Sequence, residues 1–252
     1  DKYVVPSTWR EIGLGFHGNI RSSGISYQAY LVNGFKSYDE KGLLTAASGL
    51  RKGRQKGAES FMSSPNFTAK VNYMGIPGLN IGLSTYLGKT ESSMLDGLDL
   101  NDEFAVRAAD SSVVGVAMFA ADLEYLLNGF RLRGQYVLVN LDNTGQYNAF
   151  TGQNIGSIIN GFYGEIGYDV MHFFENVDDM LVPFFRYENY NTQDEMHENI
   201  QVSGAHDIHQ YTMGVNYRIT PEFVVKADYQ MNKSEADDVY KKYVNLGIGF
   251  WF

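Results

Sequence analysis

Apolar and polar residues alternate with a period of two along most of this chain. The pattern is clearest at 243–252 (YVNLGIGFWF). There Val244, Leu246, Ile248, Phe250 and Phe252 share one face, and Asn245, Gly247 and Gly249 share the other with Trp251. A period of two is the signature of an extended strand with one apolar face. The same template recurs over 9–19, 25–35, 67–74, 79–88, 113–126, 130–140, 158–170, 181–190, 209–219 and 223–232. The expectation is therefore about eleven strands of roughly ten residues each, the length a tilted membrane-spanning strand needs. The start of 113–126 is the exception, because both of its faces read apolar.

The connections alternate between short and long. Short turns fall near positions 22, 76, 128, 175 and 221, and long polar loops near 50, 100, 150, 200 and 237. Asn128-Gly129 is the strongest hairpin signal, the residue pair that a type I′ turn prefers. A soluble sandwich has no reason to put every long loop at one end, whereas an up-and-down membrane barrel does so. A soluble protein that exposed the 243–252 strand would invite edge-to-edge aggregation. Lipid on the apolar face and closure of the sheet remove that hazard. The fold class expected is all-β, a transmembrane antiparallel up-and-down β-barrel in the bacterial outer membrane.

Composition sharpens this reading. Among 252 residues no apolar run approaches 18 in length, so no transmembrane helix is expected. The mean hydropathy of −0.25 is compatible with a barrel, because alternating strands average out. Tyr 18, Phe 16 and Gly 27 suit strands, interfacial girdles and tight turns, and Trp9 and the tyrosines are assigned to the girdles. Cys 0 fits an oxidising export route. A formal charge of −9 argues against nucleic acid as a partner. No leader is legible at Asp1, so the expectation is that it was removed or that the chain starts inside a longer protein.

The polar faces list the groups that would line a lumen. The cations are Lys70, Arg131, Arg133, Arg186, Arg218 and Lys226. The acids are Asp122, Glu124, Glu165, Asp169, Glu188 and Asp228, with His17, Gln28, Gln135, Gln210, Thr212, Asn216, Gln230 and Asn245 between them. A plugged core could hold so many charges only at high cost, whereas a water-filled lumen hydrates them. A two-residue turn at Asn128-Gly129 sets Glu124 opposite Arg133, so a cross-strand ion pair is expected. A three-residue turn at 220–222 sets Asn216 opposite Lys226. The signs are balanced along the wall. The concentrated cations are Arg51, Lys52, Arg54 and Lys56 in the first long loop. Folded inward, they would form an anion-attracting constriction; facing out, they would meet lipopolysaccharide phosphates.

The ending on Phe252 resembles the C-terminal signature of outer-membrane barrel proteins, which implies recognition by the barrel-assembly machinery. The runs SYQAYLVNGFKSYD (26–39), GLRKGRQKGAES (49–60) and PNFTAKVNYMGIPGLNIGLSTYLGKT (65–90) resemble the later part of porins of the phosphate-selective O/P type found in Bacteroidota. The resemblance implies a barrel of roughly 16 strands, a homotrimer, inward-folded loops and passage of small hydrophilic or anionic solutes, with phosphate the preferred one. The partners expected are outer-membrane lipid, lipopolysaccharide and those solutes. With the last strand descending to the periplasm, backward alternation puts Asp1 outside. The whole of 1–252 is then one barrel domain lacking its N-terminal strands, or, if Tyr3 to Val5 is a cut strand, part of a barrel of about 12. The other functional class weighed is a non-conducting barrel that serves as scaffold for a secretion or nutrient-uptake complex.

No cofactor or metal is expected. His206 and His209, with Glu195, His197 and Glu198 upstream, match no standard ligand spacing. The acidic run 96–103 (DGLDLNDE) lacks the EF-hand pattern. No strand brings Ser and His convincingly to one depth and no G-x-S-x-G element occurs, so no enzyme is expected.

Overall fold

The computed structural model describes residues 4–55, 57, 60–175, 177–197 and 201–250. Fourteen strands are numbered in chain order. They are β1 (Gly13–Ile20), β2 (Ile25–Val32), β3 (Lys36–Asp39), β4 (Lys41–Gly42), β5 (Asn66–Tyr73), β6 (Leu79–Lys89) and β7 (Glu91–Ser92), followed by β8 (Gly115–Leu127), β9 (Phe130–Asp142), β10 (Ile158–Tyr168), β11 (Met180–Glu195), β12 (Asp207–Thr220), β13 (Phe223–Ser234) and β14 (Lys241–Phe250). Eleven of them form one antiparallel sheet in the order β1-β2-β5-β6-β8-β9-β10-β11-β12-β13-β14. Every wall strand pairs with its sequence neighbours in the wall, which is the up-and-down topology that the alternation of turns and loops predicts. Among the described residues the sheet is open, with β1 and β14 at its two edges.

The register keeps one face apolar from end to end. Phe16 pairs with Ala29, Ala29 with Ala69, Val71 with Leu83, and Leu83 with Ala121. At the far edge, Val225 pairs with Ile248 and Ala227 with Leu246. On β14, Val244, Leu246, Ile248 and Phe250 are each at least 67% exposed. In water such a face would be a liability; in a bilayer it is the lipid belt.

The hairpin at Asn128-Gly129 has φ of +51° and +80°, the left-handed pair that a type I′ turn requires. It sets Glu124 opposite Arg133 as expected. The turn before β13 differs from expectation. β12 runs on to Thr220, the turn is Pro221-Glu222, and a register shift between Arg218 and Thr220 takes up the extra residue. A bulge can absorb one residue without reversing the faces beyond it, and Asn216 still lies opposite Lys226.

The long loops carry structure that the alternation did not reveal. β3, β4 and β7 form a small second sheet. Helix α1 (Glu103–Ser112) is capped by Asp102, whose carboxylate accepts from the Phe104 and Ala105 amides at 3.0 and 3.2 Å. Helix α2 (Thr144–Thr151) buries Tyr147. Phe35, Leu44, Leu50, Tyr147 and Ile155 cluster with Val116, Met118, Val137, Val139 and Ile159 from the wall strands. These wall residues lie on the polar-face parity, so the loops pack onto the inner surface of the sheet.

The segment before β1 also departs from expectation. The strand begins at Gly13, not at Trp9. Residues 4–12 cross the inner surface: a Cβ on Gly161 of β10 would lie 3.1 Å from Val4, and the Ile12 amide donates to Asn33 beside β2. Trp9 stacks on Phe35 at 4.5 Å and lies 5.1 Å from Tyr86, so it belongs to the inner cluster and not to an interfacial girdle. The Trp9 and Tyr86 rings pack against Phe35 while the Trp9 Nε1 and Tyr86 Oη groups both find Glu11, so the apolar body and the polar edge of Trp9 are both satisfied inside the cluster.

Candidate functional site: the inner face of the wall

The lower part of the inner face, toward the short turns, is a charged ladder. Lys70 Nζ on β5 reaches Asp122 Oδ2 on β8 at 2.8 Å, across the intervening strand β6. It can do so because Gly82 lies between them; a Cβ there would collide with the Asp122 carboxylate. Arg133 Nε on β9 donates to Glu124 Oε1 on β8 at 3.0 Å and lies 3.9 Å from Glu165 on β10. Arg186 on β11 lies 3.9 Å from Glu165 and 2.9 Å from Glu188, and its guanidinium sits 3.9 Å over the Tyr163 ring. From β8 to β11 the register supports the alternation: Arg133 lies opposite both Glu124 and Glu165, and Arg186 lies opposite Glu165. Glu124 and Arg133 remain about two-fifths exposed, so water screens the pair and it contributes at most about 1 kcal/mol.

The remaining cations are arranged differently. Among the described residues Arg131, Arg218 and Lys226 have no carboxylate within ion-pair distance. They converge with Arg133 on a recess of about 150 Å³ whose one carboxylate is Glu165. Beside it a larger recess of about 570 Å³ is lined by Arg133, Arg186 and Lys226 against Glu165, Glu188 and Asp228. The signs, balanced over the whole wall, are thus segregated locally, with a cationic pocket near the Asn128 and Pro221 turns. Asp169, assigned to the lumen by parity, instead caps the following turn, accepting from the Met171 and Leu181 amides.

The first-loop cations lie against the segment that precedes β1. Arg51 Nη1 donates to Ser7 Oγ at 2.8 Å, and Arg54 donates to the Ser7 carbonyl and to Thr8 Oγ1. Lys52 is exposed. Lys56 lies outside the described residues, as do Phe252 and Glu198. The segment is tied down further by Glu11, which accepts from Trp9 Nε1 at 3.0 Å and from Tyr86 Oη at 3.1 Å. Burial raises the Glu11 carboxyl above its usual range, and these two hydrogen bonds offset part of that rise. Tyr147 Oη accepts from the Leu44 amide and donates to the Ser37 carbonyl, both at 2.9 Å, and burial pushes this phenol up to about 12. Sequence periodicity placed Trp9 and Glu11 in the first strand, which begins only at Gly13, and passed over Tyr147, which lies in a long loop where no period assigns a face.

No family model matches the chain. It is 26% identical over 253 residues to an uncharacterized protein of Aquifex aeolicus (strain VF5), covering 96% of this chain and 53% of that protein. The chain thus spans about half the length of the curated relative it matches. Among solved structures it is similar to an anion-selective porin from Comamonas acidovorans, at 14% identity and a TM-score of 0.50, over 94% of this chain and 58% of that one. It is also similar to the outer membrane channel DcaP of Acinetobacter baumannii, at 11% identity and a TM-score of 0.55, over 96% and 61%. The fold is therefore that of a bacterial outer-membrane β-barrel of the porin kind.

Proposed function

We propose that this chain forms part of the wall of an outer-membrane channel that passes small hydrophilic solutes by passive diffusion, with a preference for anions. The observation that carries the reading is the pocket of Arg131, Arg133, Arg218 and Lys226 beside a hydrated ladder of paired charges. Paired charges keep the lumen wet without favouring either sign. Unpaired guanidinium and ammonium groups add a local positive potential, and guanidinium binds planar or tetrahedral oxyanions through paired donors. Phosphate fits this chemistry. The GLRKGRQKG loop, which resembles that of phosphate-selective O/P porins, is a second source of cations. Transport of this kind needs no covalent step and no cofactor.

The test is single-channel conductance of the full-length protein in a planar bilayer, with reversal potentials measured across a salt gradient. The expected result is an anion-selective current whose selectivity falls when Arg131, Arg218 and Lys226 are each changed to Gln. Selectivity that instead depends on Arg51, Lys52, Arg54 and Lys56 would move the filter to the loop. No current from folded protein would overturn the channel and favour a scaffold barrel, a reading consistent with the loops and residues 4–12 covering part of the inner face.

A further inference from the structure

We propose that Asp207, His209 and Glu235 form a binding site for a divalent transition-metal ion of the zinc class on the outer rim of the wall. The site stands apart from the lumen. Asp207 and His209 share the parity of the lipid-facing residues Tyr211 and Met213, at the long-loop end of β12, and Glu235 follows directly on β13. The site therefore lies on the outside of the wall, at headgroup level, beside the ring cluster of Tyr187, Tyr211 and Tyr240.

One ligand atom from each of the three residues lies within 4.8 Å of the other two. His209 Nε2 is 3.7 Å from Asp207 Oδ1. Donors bound tetrahedrally at about 2.0–2.1 Å stand roughly 3.3 Å apart, so small side-chain rotations close the set around an ion. The supporting contacts are already in place. Tyr187 Oη lies 2.9 Å from His209 Nδ1; a proton on Nδ1 donated to that oxygen leaves the Nε2 lone pair aimed at Asp207. Asn189 Nδ2 donates to Asp207 Oδ1 at 2.7 Å, and the Glu235 amide donates to the Asp207 carbonyl at 3.0 Å. Such outer contacts orient metal ligands and set their basicity.

One imidazole with two carboxylates suits zinc, nickel or cobalt better than calcium or magnesium, which favour all-oxygen sets. The bound ion would tie the loop after β13 to β12 and keep a coordination position open to water. Spacing along the chain hid the set, because Glu235 comes from just beyond the end of the neighbouring strand and His206, not Glu235, is the near partner that histidine spacing offers His209 in sequence.

The experiment is calorimetric titration of zinc into the full chain, folded in detergent micelles and stripped with chelator, with cobalt absorption reporting the ligand set. One site of micromolar or tighter affinity is expected. His209→Ala and Glu235→Gln should each weaken it at least about tenfold, and Tyr187→Phe by about tenfold or more through the lost outer contact. His206→Ala should leave it unchanged. Heat-modifiable gel mobility verifies that each variant is folded. Absence of binding below millimolar zinc, binding retained in folded His209→Ala, or binding lost in His206→Ala would each overturn the site.

Discussion

The inner face of β9 has two halves made of the same kind of backbone and opposite chemistry. Toward the short turn it carries Arg131, Arg133 and Gln135; toward the long loop it carries Val137, Val139 and Leu141. The first half is hydrated and forms the ladder and the cationic pocket. The second is buried, with Val137 and Val139 at most 1% exposed beneath Leu44, Leu50 and Tyr147. One strand thus faces lipid on one side throughout, and on the other side faces water for half its length and a packed loop core for the rest. The difference teaches that a barrel wall becomes apolar on its lumen side wherever something folds back to cover it. It also explains why the start of β8 reads apolar on both faces: Val116 and Met118 sit under the loops, while Phe119 faces out.

The comparison breaks most severely at Tyr147. Tyr147→Ala should remove about 3–5 kcal/mol of loop packing and open the first loop to limited proteolysis. Tyr147→Phe keeps the ring but leaves the Leu44 amide without its partner, and should cost about 1–3 kcal/mol by the same assay. The charged half should be indifferent where the lipid face is not. Leu246→Arg should cost about 2–4 kcal/mol in denaturant titrations of vesicle-embedded protein, while Gln135→Arg on the inner face should be close to neutral.

Alkaline pH separates the halves more gently. A phenol that ionises near 10.0 when free and at about 12 in the docked loop contributes stability that is whole below pH 10 and lost as pH rises toward 12. Protease sensitivity of the first loop should rise in that window, while strand content by circular dichroism holds. The smallest effect is expected at Glu124→Gln. Loss of its screened pair with Arg133 should change stability by no more than about 1 kcal/mol, and leaving Arg133 with only the 3.9 Å approach of Glu165 should shift the reversal potential further toward anions.

The strands and their faces were legible because lipid is a uniform partner. Every outward residue meets the same solvent, so the period of two survives intact from Phe16 to Phe250. The Glu124–Arg133 pair was legible for a related reason: a two-residue turn leaves the register no freedom. The loops were not legible. Nothing in the run 36–65 says that Leu44 and Leu50 will meet Val137 and Val139, since those contacts join residues far apart in sequence. The assignment of Trp9 to a girdle failed for the same cause, because Phe35 and Tyr86 give it a better apolar surface than the interface does.

The sequence alone settled the β class, eleven wall strands, the lipid belt and, Asp169 apart, the charges on the inner face, all of which follow from local alternation and turn length. Only the tertiary structure decided which of those charges are paired. Lys70 finds Asp122 across a glycine, and Arg186 finds Glu165 and Glu188, while Arg131, Arg218 and Lys226 are left facing one recess. Pairing depends on which side chains reach across strands to a common depth, and that is a property of the assembled sheet. The same holds at the rim, where Glu235 reaches His209 only because the strands before and after the turn at Pro221 lie side by side.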